Sequence, residues 1–195
     1  MTLALFDFDG TITSKDSLLH FTRFAVGANK YRAGMVRLLP VLILHRLRVI
    51  PSQTTKNIFL SCFFKNSSVA DFDNICTAYA GHTIKSIIYT AAIEKINWHK
   101  QQQHRVIVVS ASPEAYLQKW CVAVNIECIG RKMQEKNGAI TGRIKGANCN
   151  GSEKARRIKQ YLNIDAYTEI YGYGNSRGDK QMLALCSKTF YKPFE

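Results

Sequence analysis

Near the start of the chain, the run Leu3-Ala4-Leu5-Phe6 passes without a break into Asp7-Phe8-Asp9-Gly10-Thr11. A continuous apolar run that empties into charge is the pattern of a strand buried on both faces, as in a parallel sheet, ending in a loop. Ligands of open α/β sheets bind outside the carboxyl ends of the strands, and a spacing of two sets Asp7 and Asp9 on one side there. Like charges a few ångströms apart penalise double ionisation, so one acid stays protonated or the two share a cation. That suits a nucleophile beside a proton donor. Asp7 would attack an electrophile, Asp9 would protonate the leaving group, and Mg²⁺ would neutralise the crowded oxygens. Gly10 lets the backbone turn close to a ligand, and Thr11 adds a hydroxyl. An acidic turn without chemistry is the competing reading, because short motifs recur by chance.

The 195 residues, 46% of them apolar, suffice for one core domain and a modest second lobe. With a strand expected from Leu3 there is no room ahead of it for a signal peptide, and no apolar run approaches bilayer length, so a cytoplasmic location is expected. Six scattered cysteines without metal-ligand spacing read as reduced thiols. The net charge of +13 favours an anionic partner or substrate. It is spread along the chain, with no binding motif and no basic stripe interleaved with aromatics, so nucleic acid is not the expected partner. In the first fifty residues the only acids are Asp7, Asp9 and Asp16, gathered around the motif in an otherwise basic segment.

After Thr11 the pattern turns helical, with Ser14 or Asp16 as a cap. Helical periodicity continues to about residue 82, with breaks expected at Gly27, Gly34, Pro40 and Pro51. Residues 15–82 therefore read as an inserted helical cap, and residues 1–14 with 83–195 as the core. Within the cap, residues 35–50 are strongly apolar but carry Arg37, Arg46 and Arg48. The segment is too short to span a membrane. It fits either a helix buried inside the cap or one lying in an interface with its arginines toward anionic head groups, peripheral at the inner membrane surface.

A helix over 83–101 leads to a strand over 105–110 that ends at Ser110, with Pro113 placed for the first turn of the next helix. Ser110 would then lie where backbone amides meet an anion. A short strand at 126–129 and a hairpin turning at Asn137-Gly138 follow. Lys154 falls in the first turn of a helix opened by Gly151-Ser152, with Ser152 a possible cap. A cation there opposes the helix dipole by roughly 0.3–1 kcal/mol, so its presence calls for a phosphate or carboxylate. A strand from Glu169 then runs into the loop Gly172-Tyr173-Gly174-Asn175-Ser176, with Asp179 beyond it, and residues 189–192 form a last strand.

In order, Asp7-x-Asp9-Gly10-Thr11, the strand ending at Ser110, Gly151-x-x-Lys154 and Gly174-Asn175-Ser176-x-x-Asp179 resemble the four motifs of the haloacid dehalogenase superfamily. The resemblance covers the whole chain, and the insertion is similar to the cap of the phosphoserine-phosphatase-like branch, subfamily IB. It implies an α/β fold with a Rossmann-like, three-layer parallel sheet core and a helical cap inserted after the first strand. It further implies a Mg²⁺-dependent phosphatase in which Asp7 is phosphorylated and Asp9 is general acid, then base. Ser110, Lys154 and Thr11 would hold the phosphoryl group. Asp7, the Asp9 carbonyl, Asn175 and Asp179 would serve the metal.

The chain departs from the family pattern at Asn175, where an aspartate is usual, so Asp179 becomes the anionic helper. It departs again at Asp16, where phosphoserine phosphatases carry a glutamate, and at Gly10, where they often carry a serine. A phosphorylated small molecule or lipid other than phosphoserine is the substrate this implies. The reading from another class is a catalytically weakened phospho-ligand or anionic-membrane-surface binding protein, motivated by Asn175 and the positive charge.

Overall fold

The computed structural model describes residues 1–146 and 149–195. Five parallel strands form the sheet in the order β3-β2-β1-β6-β7: β1 is Thr2–Phe6, β2 Arg105–Pro113, β3 Glu127–Arg131, β6 Glu169–Gly174 and β7 Lys188–Tyr191. The unbroken apolar run puts β1 at the centre, between β2 and β6, with Leu3 to Phe6 fully buried. Side chains of a strand alternate between faces, and the core divides accordingly. Ala4, Phe6, Val106 and Val108 join one cluster, whereas Leu3, Leu5, Ile107 and Val109 join another. The first face is covered by α5 (Thr90–Gln101) and α6 (Glu114–Ala123), and the second by α7 (Ser152–Tyr161) and α8 (Lys180–Leu183). The result is the expected Rossmann-like three-layer α/β arrangement.

Between β1 and α5 lie α1 (Ser17–Val26), α2 (Ala28–Arg46), α3 (Ser52–Phe64) and α4 (Val69–Gly81). Asp16 caps α1 by accepting from the Leu19 amide at 3.0 Å. Gly27 and Pro51 are boundaries, but the breaks expected at Gly34 and Pro40 do not occur, because α2 runs through both. A Cβ on Gly34 would lie 2.3 Å from the Phe63 ring, so this glycine lets α2 approach α3 closely. Pro40 stands on the exposed side, where the Val36 carbonyl it leaves without an amide can turn to water. An aromatic cluster joins the insertion to the core: Phe21 packs on Phe64, Phe72 and Tyr79, and 4.9 Å from Tyr116 of α6.

The single helix expected over 83–101 is two elements, a 3₁₀ turn at Thr83–Ile87 and α5. Ile88 bridges to Thr13, and the Tyr89 amide donates to the Ile12 carbonyl at 2.9 Å, so the two ends of the insertion are stitched together there. The hairpin of β4 (Met133–Lys136) and β5 (Ala139–Ile144) turns at Asn137-Gly138, both at positive φ, as its sequence demands. It packs on α3, with Ser61 donating to the Gly142 carbonyl at 3.1 Å. The six cysteines are unpaired. Among the described residues no helix is long and apolar enough to cross a membrane.

Candidate active site

Asp7 follows β1 directly, and its amide donates to the Tyr173 carbonyl at 2.9 Å, so the ladder carries it to the carboxyl edge of the sheet. It shares parity with Leu3 and Leu5, on the face covered by α7, which is why the first turn of α7 can deliver a side chain to it. That side chain is Lys154. Its buried Nζ donates to Asp7 Oδ1 at 2.5 Å and to Asp179 Oδ1 at 2.6 Å. Two carboxylates thus account for a cation at the wrong end of a helix dipole. Ser152 does not cap this helix as expected; Gly151 occupies that position, and among the described residues no side chain caps it.

Thr11 Oγ1 donates to Asp7 Oδ2 at 3.2 Å. The amides of Thr11, Ile12 and Thr13 all converge on the Phe8 carbonyl, a tight turn that Gly10 enters at φ +79°. A Cβ on Gly10 would lie 1.9 Å from Nδ2 of Asn175, which brings the first and fourth motifs into contact. Gly10→Ala is therefore expected to cost about 1–3 kcal/mol in stability from the left-handed backbone alone, and to push Asn175 away. Urea unfolding checks the first effect, and an unchanged midpoint would contradict this account of the turn.

Asp179 Oδ2 accepts from the amides of Asn175 and Ser176 at 3.2 and 2.9 Å and from Ser176 Oγ at 2.7 Å. Both of its oxygens are thus engaged, one by Lys154 and one by the loop it holds. Burial pushes the Asp7 carboxyl up to about 6, with Lys154 pulling against that and Asp179 and Asp9 adding to it. Burial also works against the charges of Lys154 and Asp179, yet their mutual attraction prevails. Lys154, flanked by Asp7 and Asp179, is raised, and Asp179, with Lys154 and Ser176, is lowered.

Asp9, near enough to act on the Asp7 carboxyl, has partners of its own. Its Oδ1 accepts from the Ser17 amide at 2.7 Å and its Oδ2 from Ser112 Oγ at 2.5 Å. Ser17 Oγ lies 3.1 Å from Ser112 Oγ and 2.9 Å from the Tyr116 hydroxyl, so a buried hydroxyl network surrounds the carboxylate. Ser110 is buried in β2, and its Oγ accepts from the Ser112 amide at 3.0 Å. The strand continues past it to Pro113, which occupies the N-cap position rather than the first turn of α6. Ser110 therefore does not sit at a helix start as expected, since Pro113 still pairs with Arg131 of β3.

Ser17, Ser112, Lys56 and Arg131 were not singled out from the sequence. Ser112 had a signal, because it stands two residues after Ser110, and extending β2 puts both on one side. Ser17 is reached through its backbone amide, which any residue would supply. Lys56 of α3 donates to the Ala111 carbonyl at 3.3 Å; burial lowers it while Asp9 and Asp16 act against that. Arg131 is fully buried, with Nη2 donating to Gln53 Oε1 and the Gly146 carbonyl at 3.2 and 3.0 Å. These two cations come from contacts distant in sequence, which no local pattern announces. Asp16 is raised by burial and by Asp9.

Among the described residues, Asn175 Oδ1, buried at this edge, has no hydrogen-bond partner. Leaving such an oxygen bare costs about 1–3 kcal/mol, and a hard cation would satisfy it. Among the described residues no three His, Cys, Asp or Glu side chains converge as a metal cluster. The donors on offer are mixed oxygens of carboxylate, amide and backbone, the hard ligand type that Mg²⁺ takes.

Protein CicA of Caulobacter vibrioides is 28% identical over 194 residues, covering 98% of this chain and 86% of that protein. The probable phosphatase Rv3661 of Mycobacterium tuberculosis is 27% identical, covering 93% of this chain and 65% of that protein. Among solved structures, a Bordetella pertussis protein of unknown function superposes with a TM-score of 0.83 at 18% identity, covering 96% of this chain and 88% of that one. A phosphoserine phosphatase carrying a phospho-aspartyl intermediate analogue superposes with a TM-score of 0.66 at 16% identity, covering 96% and 84%. The family model of haloacid dehalogenase-like hydrolases matches residues 4–184, and with nearly the whole chain inside that match, the protein belongs to the haloacid dehalogenase-like hydrolases.

Proposed function

We propose that this chain is a Mg²⁺-dependent phosphatase that hydrolyses a phosphomonoester through an aspartyl-phosphate at Asp7, with residues 15–82 as its cap. The observation that carries the reading is Asp7 at the carboxyl end of the central strand, held by Lys154 and Thr11 beside the bare oxygen of Asn175. A probable phosphatase among the relatives and a phospho-aspartyl analogue among the fold neighbours support it.

The phosphoryl group would be held by Lys154 Nζ and the hydroxyls of Thr11 and Ser110, donors that stabilise charge as it develops. An Asp7 oxygen attacks phosphorus, the bond from phosphorus to the ester oxygen breaks, and Asp9, in its protonated form and turned out of its bond with Ser112, gives the leaving alcohol its proton. Asp9 then takes a proton from water, which attacks the same phosphorus, releases phosphate and restores Asp7. Asp7, the Asp9 carbonyl and Asn175 Oδ1 would hold the metal. Asp179, whose oxygens are engaged, would reach it through water. Bound Mg²⁺ supplies neutralisation of the phosphoryl oxygens. The substrate is a phosphorylated small molecule or lipid, met in the cytoplasm or at an anionic membrane surface.

Turnover of an aryl phosphate that stops on chelation and returns with Mg²⁺ tests this. Binding of phosphorylated ligands without any turnover would favour the other reading, a phospho-ligand binding protein, which the neutral Asn175 motivates. Because a hard divalent cation prefers charged oxygens, Asn175→Asp is expected to tighten Mg²⁺ on the order of tenfold. The same substitution weakens the hold on a dianionic phosphate. Metal titration of turnover at fixed ionic strength checks both. An unchanged or weaker Mg²⁺ dependence would mean that Asn175 does not face the metal.

A further inference from the structure

Helix α2 has two apolar faces and needs only one. Tyr31, Gly34, Met35, Leu38, Leu42 and His45 recur at helical spacing and are turned inward to varying depth, and the Gly34 and Tyr31 positions meet Phe63 of α3. The opposite side carries Val36, Leu39, Ile43 and Leu47 at spacings of three and four, 73, 54, 50 and 66% exposed, in line with Arg32. At the helix end Arg48 takes a positive φ of 61°, a position usually left to glycine, and Val49 beyond it is 66% exposed. Six of the fourteen exposed large apolar residues among those described fall between Val36 and Val49, so the patch is concentrated rather than scattered.

The charge around this row has one sign. No Asp or Glu occurs between Asp16 and Asp71, while Arg23, Lys30, Arg32, Arg37, Arg46, Arg48, Lys56 and Lys65 lie in that interval. Among the described residues Arg32, Arg37, Arg46 and Arg48 form no ion pair. The dipole accounts for Arg46 in the last turn, but not for Arg37 in mid-helix or Arg48 beyond the end. An apolar row flanked by arginines, on a helix unable to span a bilayer, has the form of a helix that lies in the plane of an anionic lipid surface.

We propose that the outer face of α2 docks this protein onto an anionic phospholipid leaflet, with Val36, Leu39, Ile43 and Leu47 entering the acyl boundary and Arg32, Arg37, Arg46 and Arg48 meeting the head-group phosphates. An acidic protein would match the arginines but gives no reason for a row of aliphatic side chains with no polar partner among them. A second copy of the chain would bring its own arginines against these.

Sedimentation with vesicles of phosphatidylcholine alone, or mixed with phosphatidylglycerol, tests the proposal. Binding is expected only to the anionic vesicles, and should weaken as salt shortens the Debye length. Arg37→Gln/Arg46→Gln/Arg48→Gln is expected to lower the partition coefficient on the order of a hundredfold. Leu39→Ser/Ile43→Ser is expected to abolish binding while leaving turnover of a soluble aryl phosphate intact, since both side chains are about half exposed on the outer row of α2. Asp7→Asn should bind vesicles as wild type does, which separates failure of the docking claim from failure of the phosphatase claim. Equal binding to neutral vesicles, or no binding at low ionic strength, would overturn the proposal. So would a wild-type dimer that Leu39→Ser/Ile43→Ser converts to monomer, because the occupant would then be a second copy.

Discussion

Asp7→Asn is expected to reduce phosphatase turnover by at least about 10³-fold while leaving the protein folded. The substitution preserves shape and removes the attacking oxygen's charge. Stability should be unchanged or slightly higher in the absence of metal, and the sign follows from the direction of the shift. Burial raises the Asp7 carboxyl from the ordinary aspartate range up to about 6. A carboxylate whose folded value is raised opposes folding when ionised, so above that pH its charge works against the native state. A neutral amide removes that opposition, and Lys154 keeps Asp179 as a partner. Parallel kinetics and thermal melts in a chelator at neutral pH check this. Near-native turnover would exclude Asp7 as the nucleophile, and a large drop in melting temperature would mean that the carboxylate supports the fold.

Lys154→Met should have the largest effect on stability, about 3–5 kcal/mol, because it leaves Asp7 and Asp179 buried without their shared cation. Asp179 also organises the Asn175-Ser176 loop, so disturbance there would spread to the fourth motif. Turnover should fall by about 10²–10³-fold through loss of a charged donor to the phosphoryl group. Double substitution of Lys154→Met with Asp179→Asn should restore part of the stability, since it removes one stranded charge, but none of the activity. Urea titrations of the three proteins decide it. A loss below 1 kcal/mol in Lys154→Met would show that the ion triad does not support the fold.

How much of this was legible beforehand depended on whether a feature is local. The central strand was, because its apolar run has no alternation to confuse it. So was the meeting of Lys154 with an anion, because a first-turn lysine is costly unless answered. Gly34 and Pro40 misled as helix breakers for opposite reasons. One is needed by the ring packed against it, and the other loses its hydrogen bond on the solvent side. The stretch over 83–101 hid a break that exists only because Ile88 and Tyr89 pair with residues after β1, at the far end of the insertion. Asp9 was expected at the site, but its holders were not. Ser112 needed β2 to run two residues longer, and Ser17 acts through a backbone amide that carries no side-chain signature. The outer row of α2 was visible as apolar, yet only the packed structure separates it from the inner row and shows that it is bare.

Covalent capture on Asp7 tests the mechanism most directly. The protein is mixed with an aryl phosphate and Mg²⁺, quenched in acid during turnover, digested and mapped by mass. A phosphoryl group released by hydroxylamine, located on Asp7 and absent from Asp7→Asn, is the expected result. Turnover with no phosphoryl adduct at any quench time, or with the adduct on Ser110 or another side chain, would contradict an aspartyl-phosphate at the end of the central strand.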